Sequence, residues 1–268
     1  YSQLKIGLLL SGSAKDGGWS QMAADAATTV QEQYGCTVNF SESTPTTDFE
    51  STMRGYADAG YNIIVSHGSE FLDAAKQVSK DYPDLTFICT SATSGQEPNL
   101  TAVDFGSYQF GFLVGAAAAL ASDNKTIGIV CASQDGSAKD WNDGVADGAK
   151  YIDTSSETII VCTGSWDDAL KAKQAVDALQ QQGCDTITQN CDAAGKGAIQ
   201  ECDELGLMNI GAVSDQSSFG ESVLISVVQD SKLGIEAAIA EAVEGNLEAG
   251  AVNMDAAHGV ITLPGYTG

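Results

Sequence analysis

A steady exchange between short apolar runs and longer amphipathic stretches constrains this chain more than any other feature. Strand-like runs fall at residues 4–10, 37–40, 63–66, 85–90, 100–105, 126–132, 158–162, 186–189, 209–213 and 223–228. Helix-like stretches lie between most of them, at 21–34, 48–59, 71–81, 110–121, 141–152, 168–182 and 194–205, and a last long one covers 232–244. Alternation at this spacing specifies right-handed βαβ crossovers and parallel sheets. The central runs are nearly continuous in apolar residues, as strands covered on both faces require. So many strands would make one sheet very wide, so the expectation is an α/β chain of two doubly wound parallel-sheet lobes. The first lobe is expected to take residues 1–105 and 229–250, the second 106–228 and 251–268. Several crossings without a Pro/Gly-rich linker specify a hinge rather than a flexible tether.

Two tryptophans occupy matched places in the two halves. Trp19 closes Ser11-Gly12-Ser13-Ala14-Lys15-Asp16-Gly17-Gly18, after the first strand-like run. Trp166 closes Thr163-Gly164-Ser165, after the run at 158–162. Open parallel sheets bind ligands outside the carboxyl ends of their strands. A large aromatic among glycine, serine and aspartate at such a place suits a stacking surface, and two of them suit a clamp on a flat ring. For Trp19 the competing role is a hydrophobic staple at the start of a helix. Ser20, beside Trp19, joins the candidate set. Asp16 is an acceptor for a ring N–H or amine, or else a helix cap above a Gly17-Gly18 turn. His67 and Gly68 follow the run at 63–66, where they either touch a ligand or form a turn and cap. Asn190 follows the run at 186–189 and carries both a donor and an acceptor for a ring edge. Asp215 is an acceptor or a turn residue, and Gln229 closes the last strand-like run or marks a hinge crossing. Trp141 opens an amphipathic stretch and reads as packing.

Charge and cysteine usage exclude several functions. The chain has 36 acidic and 12 basic residues, a formal net charge of −24. Nucleic acid needs a basic face, which this balance opposes. Arg54 is the only arginine, which disfavours phosphorylated or dicarboxylate ligands, since the guanidinium fork suits those groups best. The acidity itself reads as a solubility device. Seven cysteines include no C-x-x-C pair, and only two histidines accompany them, so no zinc spacing is formed. Cys36, Cys89, Cys131 and Cys162 lie in or beside apolar runs and read as small buried hydrophobes. The first Gly-rich loop continues Gly18-Trp19 rather than Lys-Ser/Thr, no G-x-G-x-x-G follows the first strand, and no G-x-S-x-G is present. No metal, cofactor or catalysis is expected. No apolar run reaches the ~18 residues of a membrane span.

Five segments occur in a telling order: Asp16-Gly17-Gly18-Trp19, Gly111 to Ala119, Gly148-Ala149-Lys150-Tyr151, Gly164-Ser165-Trp166-Asp167-Asp168 and Ser214-Asp215-Gln216-Ser217. Together they resemble the basic membrane protein (BMP) family, substrate-binding lipoproteins of ABC importers of the purine-nucleoside-binding type. The resemblance implies a type I periplasmic-binding-protein fold that holds ligand between two lobes without catalysis. It implies an extracytoplasmic monomer, lipid-anchored through a removed N-terminal segment, that serves the membrane subunits of an importer. It also implies a further helix and closing segment after Gly268. In that family two aromatics sandwich the base, which maps onto Trp19 and Trp166, and an aspartate reaches the ribose hydroxyls, which maps onto Asp215. Where the family has a lysine near the ribose, this chain has Gln229. A purine nucleoside or purine base is the expected ligand, with another flat heterocycle of riboflavin type as the alternative. A ligand-sensing receptor domain of the same fold is the competing function.

Overall fold

The structure, a computed structural model, describes residues 1–15 and 19–263. Its strands are β1 (Lys5–Leu10), β2 (Thr37–Ser41), β3 (Ile63–His67), β4 (Thr86–Thr90), β5 (Leu100–Asp104), β6 (Thr126–Cys131), β7 (Glu157–Cys162), β8 (Thr186–Asn190), β9 (Met208–Val213), β10 (Val223–Gln229), β11 (Gly250–Asn253) and β12 (Ile261–Thr262). The helices are α1 (Trp19–Tyr34), α2 (Phe49–Asp58), α3 (Leu72–Val78), α4 (Ser107–Ala121), α5 (Gly136–Ile152), α6 (Ala169–Gln181), α7 (Gly195–Leu205) and α8 (Ser231–Glu244). They form two units. One comprises Tyr1–Phe105 and Ser231–Val260, the other Gly106–Asp230 and the segment from Ile261 onward.

In the first unit the strand order is β11-β5-β4-β3-β1-β2, parallel throughout. Ile6, Leu8, Leu9 and Leu10 are fully buried because β1 lies inside the sheet with helices on both faces. Ile6, Leu8 and Leu10 pack with Ala23, Ala27, Ile235 and Ile239 of α1 and α8. Leu9 points the other way, to Met53 of α2 and Ala75 of α3. The sheet grows outward in both directions from β1, so the β1/β3 boundary is its topological switch point.

In the second unit the order is β12-β10-β9-β8-β6-β7, parallel except for β12, which lies antiparallel on β10. Its switch point is the β6/β8 boundary. Phe110, Val114, Trp141 and Val145 of α4 and α5 cover one face, and α6 and α7 cover the other. The α4–α5 contact is made backbone to backbone. A Cβ on Gly111 or Gly115 would strike the carbonyls of Trp141 and Val145, and one on Gly144 or Gly148 those of Tyr108 and Phe112. The glycines noted in the sequence at 111 and 148 are therefore helix-packing residues. Trp141 is 1% exposed inside this layer.

Three placements differ from the sequence expectation. Cys162 is exposed, because β7 is the edge strand of its sheet. Residues 251–260 stay with the first unit, because β11 finds the open edge of β5 and pairs with it from Gly250 to Asn253. The last change of unit thus falls between Val260 and Ile261, not near Gly250. α1 begins at Trp19, two residues before the expected start at 21.

Candidate functional site

The switch point of the first unit brings together the ends of β1 and β3, with Leu10 opposite His67. Asp16, with Gly17 and Gly18, lies outside the described residues. Trp19 is partly buried against the core formed by α1, α8 and the sheet. Its indole stacks on the His67 imidazole, with centroids 4.0 Å apart and planes 26° apart. His67 is fully buried. Its Nδ1 lies 2.8 Å from Thr90 Oγ1 and its Nε2 lies 3.0 Å from the Trp19 carbonyl oxygen. The ring is thus held between Thr90 and Trp19. Ser20 is also buried, and its hydroxyl accepts from the Gly12 N–H at 3.1 Å. It therefore ties the loop after β1 to α1. Gly68 has φ 131°, a backbone conformation that strains any L side chain, and the Glu70 carboxylate lies against it. Its carbonyl accepts from Phe71 N–H and from the Cys89 thiol.

In the second unit Trp166 sits on a heavily hydrogen-bonded loop. Thr163 N–H donates to the Cys131 carbonyl at 2.8 Å. Ser165 Oγ accepts from Asp168 N–H at 3.1 Å and donates to Asp167 at 2.8 Å. Asp168 caps α6 by accepting from the amides of Leu170 and Lys171. The Trp166 carbonyl accepts from Ala194 N–H at 3.0 Å, which pins this loop to the segment after β8. The indole itself is 46% exposed. Asn190 ends β8 half-buried. Its carbonyl accepts from Ala132 N–H.

Asp215 is exposed beyond the end of β9. The backbone amide of Ser217, and then its hydroxyl, hold the Asp215 carboxyl below the usual carboxylate range. Beneath it runs a buried amide network that sequence reasoning missed. Gln216 Oε1 accepts from Gln189 Nε2 at 2.8 Å and from Ala212 N–H at 3.1 Å, and Gln216 N–H donates to Ser226 Oγ at 3.0 Å. Val213, which leads into this turn, has φ 73° and is exposed. A β-branched residue in the left-handed region is a strained one, and such strain gathers at functional sites. Nothing in the local sequence signals either feature, since both depend on how β8, β9 and β10 lie together. Gln229 is the last residue of β10, half-buried and paired in register with Ile261 of β12.

Each unit thus presents, at the carboxyl ends of its strands, one indole held by its surroundings. An open hollow elsewhere in the first unit is lined by Thr46, Glu50, Arg54, Glu70 and Asp73. Arg54 there is bridged to Asp81 at 2.7 Å, and the one aromatic in its lining, Phe49, is buried.

A family model described as Bmp, ABC transporter substrate-binding protein PnrA-like, matches residues 3–265. The chain is 29% identical to the transcriptional activator protein Med of Bacillus subtilis (strain 168), over 97% of this chain and 81% of that protein. It is 26% identical to a purine-binding protein of Brucella abortus (strain 2308), over 85% of this chain and 65% of that protein. The crystal structure of an ABC transporter solute-binding protein from Aeropyrum pernix K1 superposes with a TM-score of 0.77 at 21% identity, covering 97% of this chain and 76% of that one. This last likeness shows the fold, a two-unit α/β architecture of the periplasmic-binding-protein type.

Proposed function

Because this chain belongs to the Bmp family of ABC transporter substrate-binding proteins, we propose that it captures a purine nucleoside or purine base and hands it to the membrane subunits of an importer. The observation that carries the reading is Trp166. A tryptophan 46% exposed on a loop fixed by so many hydrogen bonds is a prepared stacking surface, since large aromatics are otherwise buried. In this reading Trp19 supplies the second stacking face. Asn190 and Asp16 address the edge of the base, and Asp215 and Gln229 address a ribose. The name of the Brucella relative supports the ligand class. Substrate-binding proteins of ABC importers work outside the cytoplasm, and among the described residues no helix is long and apolar enough to cross a membrane. A lipid anchor and a monomeric state belong to the same proposal.

Calorimetry against adenosine, guanosine, inosine, adenine and hypoxanthine tests the ligand, with riboflavin as the rival heterocycle. Stacking contributes ~1–3 kcal/mol per base, and ~1.4 kcal/mol is tenfold in affinity. Trp166→Ala is therefore expected to weaken purine binding by about tenfold or more. Failure of all five purines, with tight binding of a sugar or amino acid instead, overturns the ligand class. The name of the Bacillus subtilis relative favours a second reading, ligand sensing without transport. Uptake of labelled purine by cells with and without the protein separates the two.

A further inference from the structure

The structure assigns His67 a positioning role: it is the buried platform that fixes the plane of Trp19. Three strand ends meet at this point. His67 ends β3, opposite Leu10 of β1 on one side and Thr90 of β4 on the other. His67 and Thr90 both have no exposed surface. A buried imidazole must satisfy both ring nitrogens, and the geometry shows how. Nε2 lies 3.0 Å from the Trp19 carbonyl, which can only accept, so Nε2 carries a proton and donates it. Nδ1 lies 2.8 Å from the Thr90 hydroxyl, its hydrogen-bond partner. The same ring lies flat against the indole, with centroids 4.0 Å apart.

His67 therefore grips Trp19 twice, once by its backbone and once by its ring. The backbone grip falls on the first residue of α1, where the indole's direction is set. The stack occupies one face of a half-buried indole and sets the plane in which the whole ring lies. An indole held in one plane loses less conformational freedom when a ring stacks on it, which favours binding. That Trp19 stacks on a purine rests on the function proposed above. That His67 fixes the indole does not.

The test uses the full chain labelled with 5-fluorotryptophan. It gives three resonances, one for each tryptophan, assigned by Trp→Phe variants. His67→Leu removes both grips, and His67→Gln keeps a planar amide with an N–H donor near the position of Nε2. Thr90→Val removes only the hydroxyl, and it carries the test if His67→Leu does not fold. His67→Leu is expected to shift and broaden the Trp19 resonance while those of Trp141 and Trp166 stay in place. Thr90→Val should move the Trp19 resonance in the same direction by less, and His67→Gln should restore most of it. An unmoved Trp19 resonance in both His67→Leu and Thr90→Val overturns the platform, whatever the ligand is. With purine binding established for the unaltered protein, His67→Leu should lower affinity about tenfold, which is ~1.4 kcal/mol, and His67→Gln should recover it. Unchanged affinity in His67→Leu overturns the positioning role. If the unaltered protein binds none of the five purines, the purine reading falls, and the resonances alone decide the platform.

Discussion

At the scale of single residues, the sharpest departure from the resembled family is Gln229. A neutral amide is a weaker partner for a ribose than an ammonium, because charge-assisted hydrogen bonds are roughly twice as strong as neutral ones. If Asp215 accepts from the ribose, Gln229→Lys should raise the preference for nucleoside over free base. Asp215→Ala should remove that preference and leave base affinity almost intact. Equal losses for adenosine and adenine in Asp215→Ala would instead make the aspartate a turn residue, which its bond to Ser217 N–H at 3.0 Å allows. The cysteines yield a second prediction. Burial pushes the thiols of Cys89, Cys131, Cys191 and Cys202 up to about 12 and that of Cys184 to about 11. Thiolate is the reactive form, so only exposed Cys162 should react promptly with a disulfide reagent at pH 8, and the other six only after unfolding. Rapid release from several thiols in the folded protein would contradict this burial pattern. The role of Trp141 in packing was readable from its place in an amphipathic stretch. The role of His67 was not, because it depends on the register that sets His67 beside Thr90.

At the scale of elements, the pairing of α4 with α5 is the most exacting contact. Gly111 and Gly115 on one helix, and Gly144 and Gly148 on the other, leave no room for a methyl group against the facing carbonyls. Overpacking of this kind typically costs ~1–3 kcal/mol, and a backbone is a less yielding neighbour than a side chain. Gly115→Ala and Gly144→Ala should each lower the unfolding midpoint by several degrees, at about 2–4 °C per kcal/mol for a chain of this size. Gly55→Ala, at a site in α2 with open space around it, should not. A Gly115→Ala protein as stable as the parent would refute the backbone contact. Asp185 provides a pH-dependent counterpart between α4 and β8. Burial pushes its carboxyl up, yet it ends below the usual range because Ser122 Oγ and the amides of Asn124 and Asp123 donate to it. A carboxyl depressed in the folded state stabilises above its unfolded value of ~3.9, and that stability fades as pH falls through the lower folded value. Asp185→Asn should therefore melt lower at pH 7, with the gap closing below about pH 4; a gap independent of pH would point to another cause. Most elements were legible because central parallel strands are apolar on both faces. β11 and β12 were not, since four and two residues on sheet edges carry no periodic signal until a neighbouring strand offers an open edge.

At the scale of the whole molecule, the governing quantity is the net charge of −24. Several of the few cations are already matched to carboxylates. Lys173 bridges Glu201 at 3.1 Å and Glu204 at 2.8 Å, Lys232 bridges Glu236 at 3.1 Å, and Arg54 bridges Asp81. Such surface pairs contribute only ~0–1 kcal/mol each. The surplus carboxylates repel one another in the folded state, where they are held closest, and self-repulsion of this kind destabilises compact states. Salt weakens both effects, since the Debye length falls to about 10 Å at 0.1 M. With carboxylates outnumbering cations 36 to 12, repulsion is the larger of the two. The melting temperature should therefore rise as sodium chloride is increased from roughly 0.02 to 0.5 M, most steeply in the range where the Debye length shrinks past the spacing of surface charges. Chloride is the right anion for this measurement, because sulfate also stabilises by exclusion from the protein surface. Scanning calorimetry across that series decides the matter. A midpoint that falls with added chloride would mean that the few bridges outweigh the many repulsions, and the acidity would then need an explanation other than simple solubility.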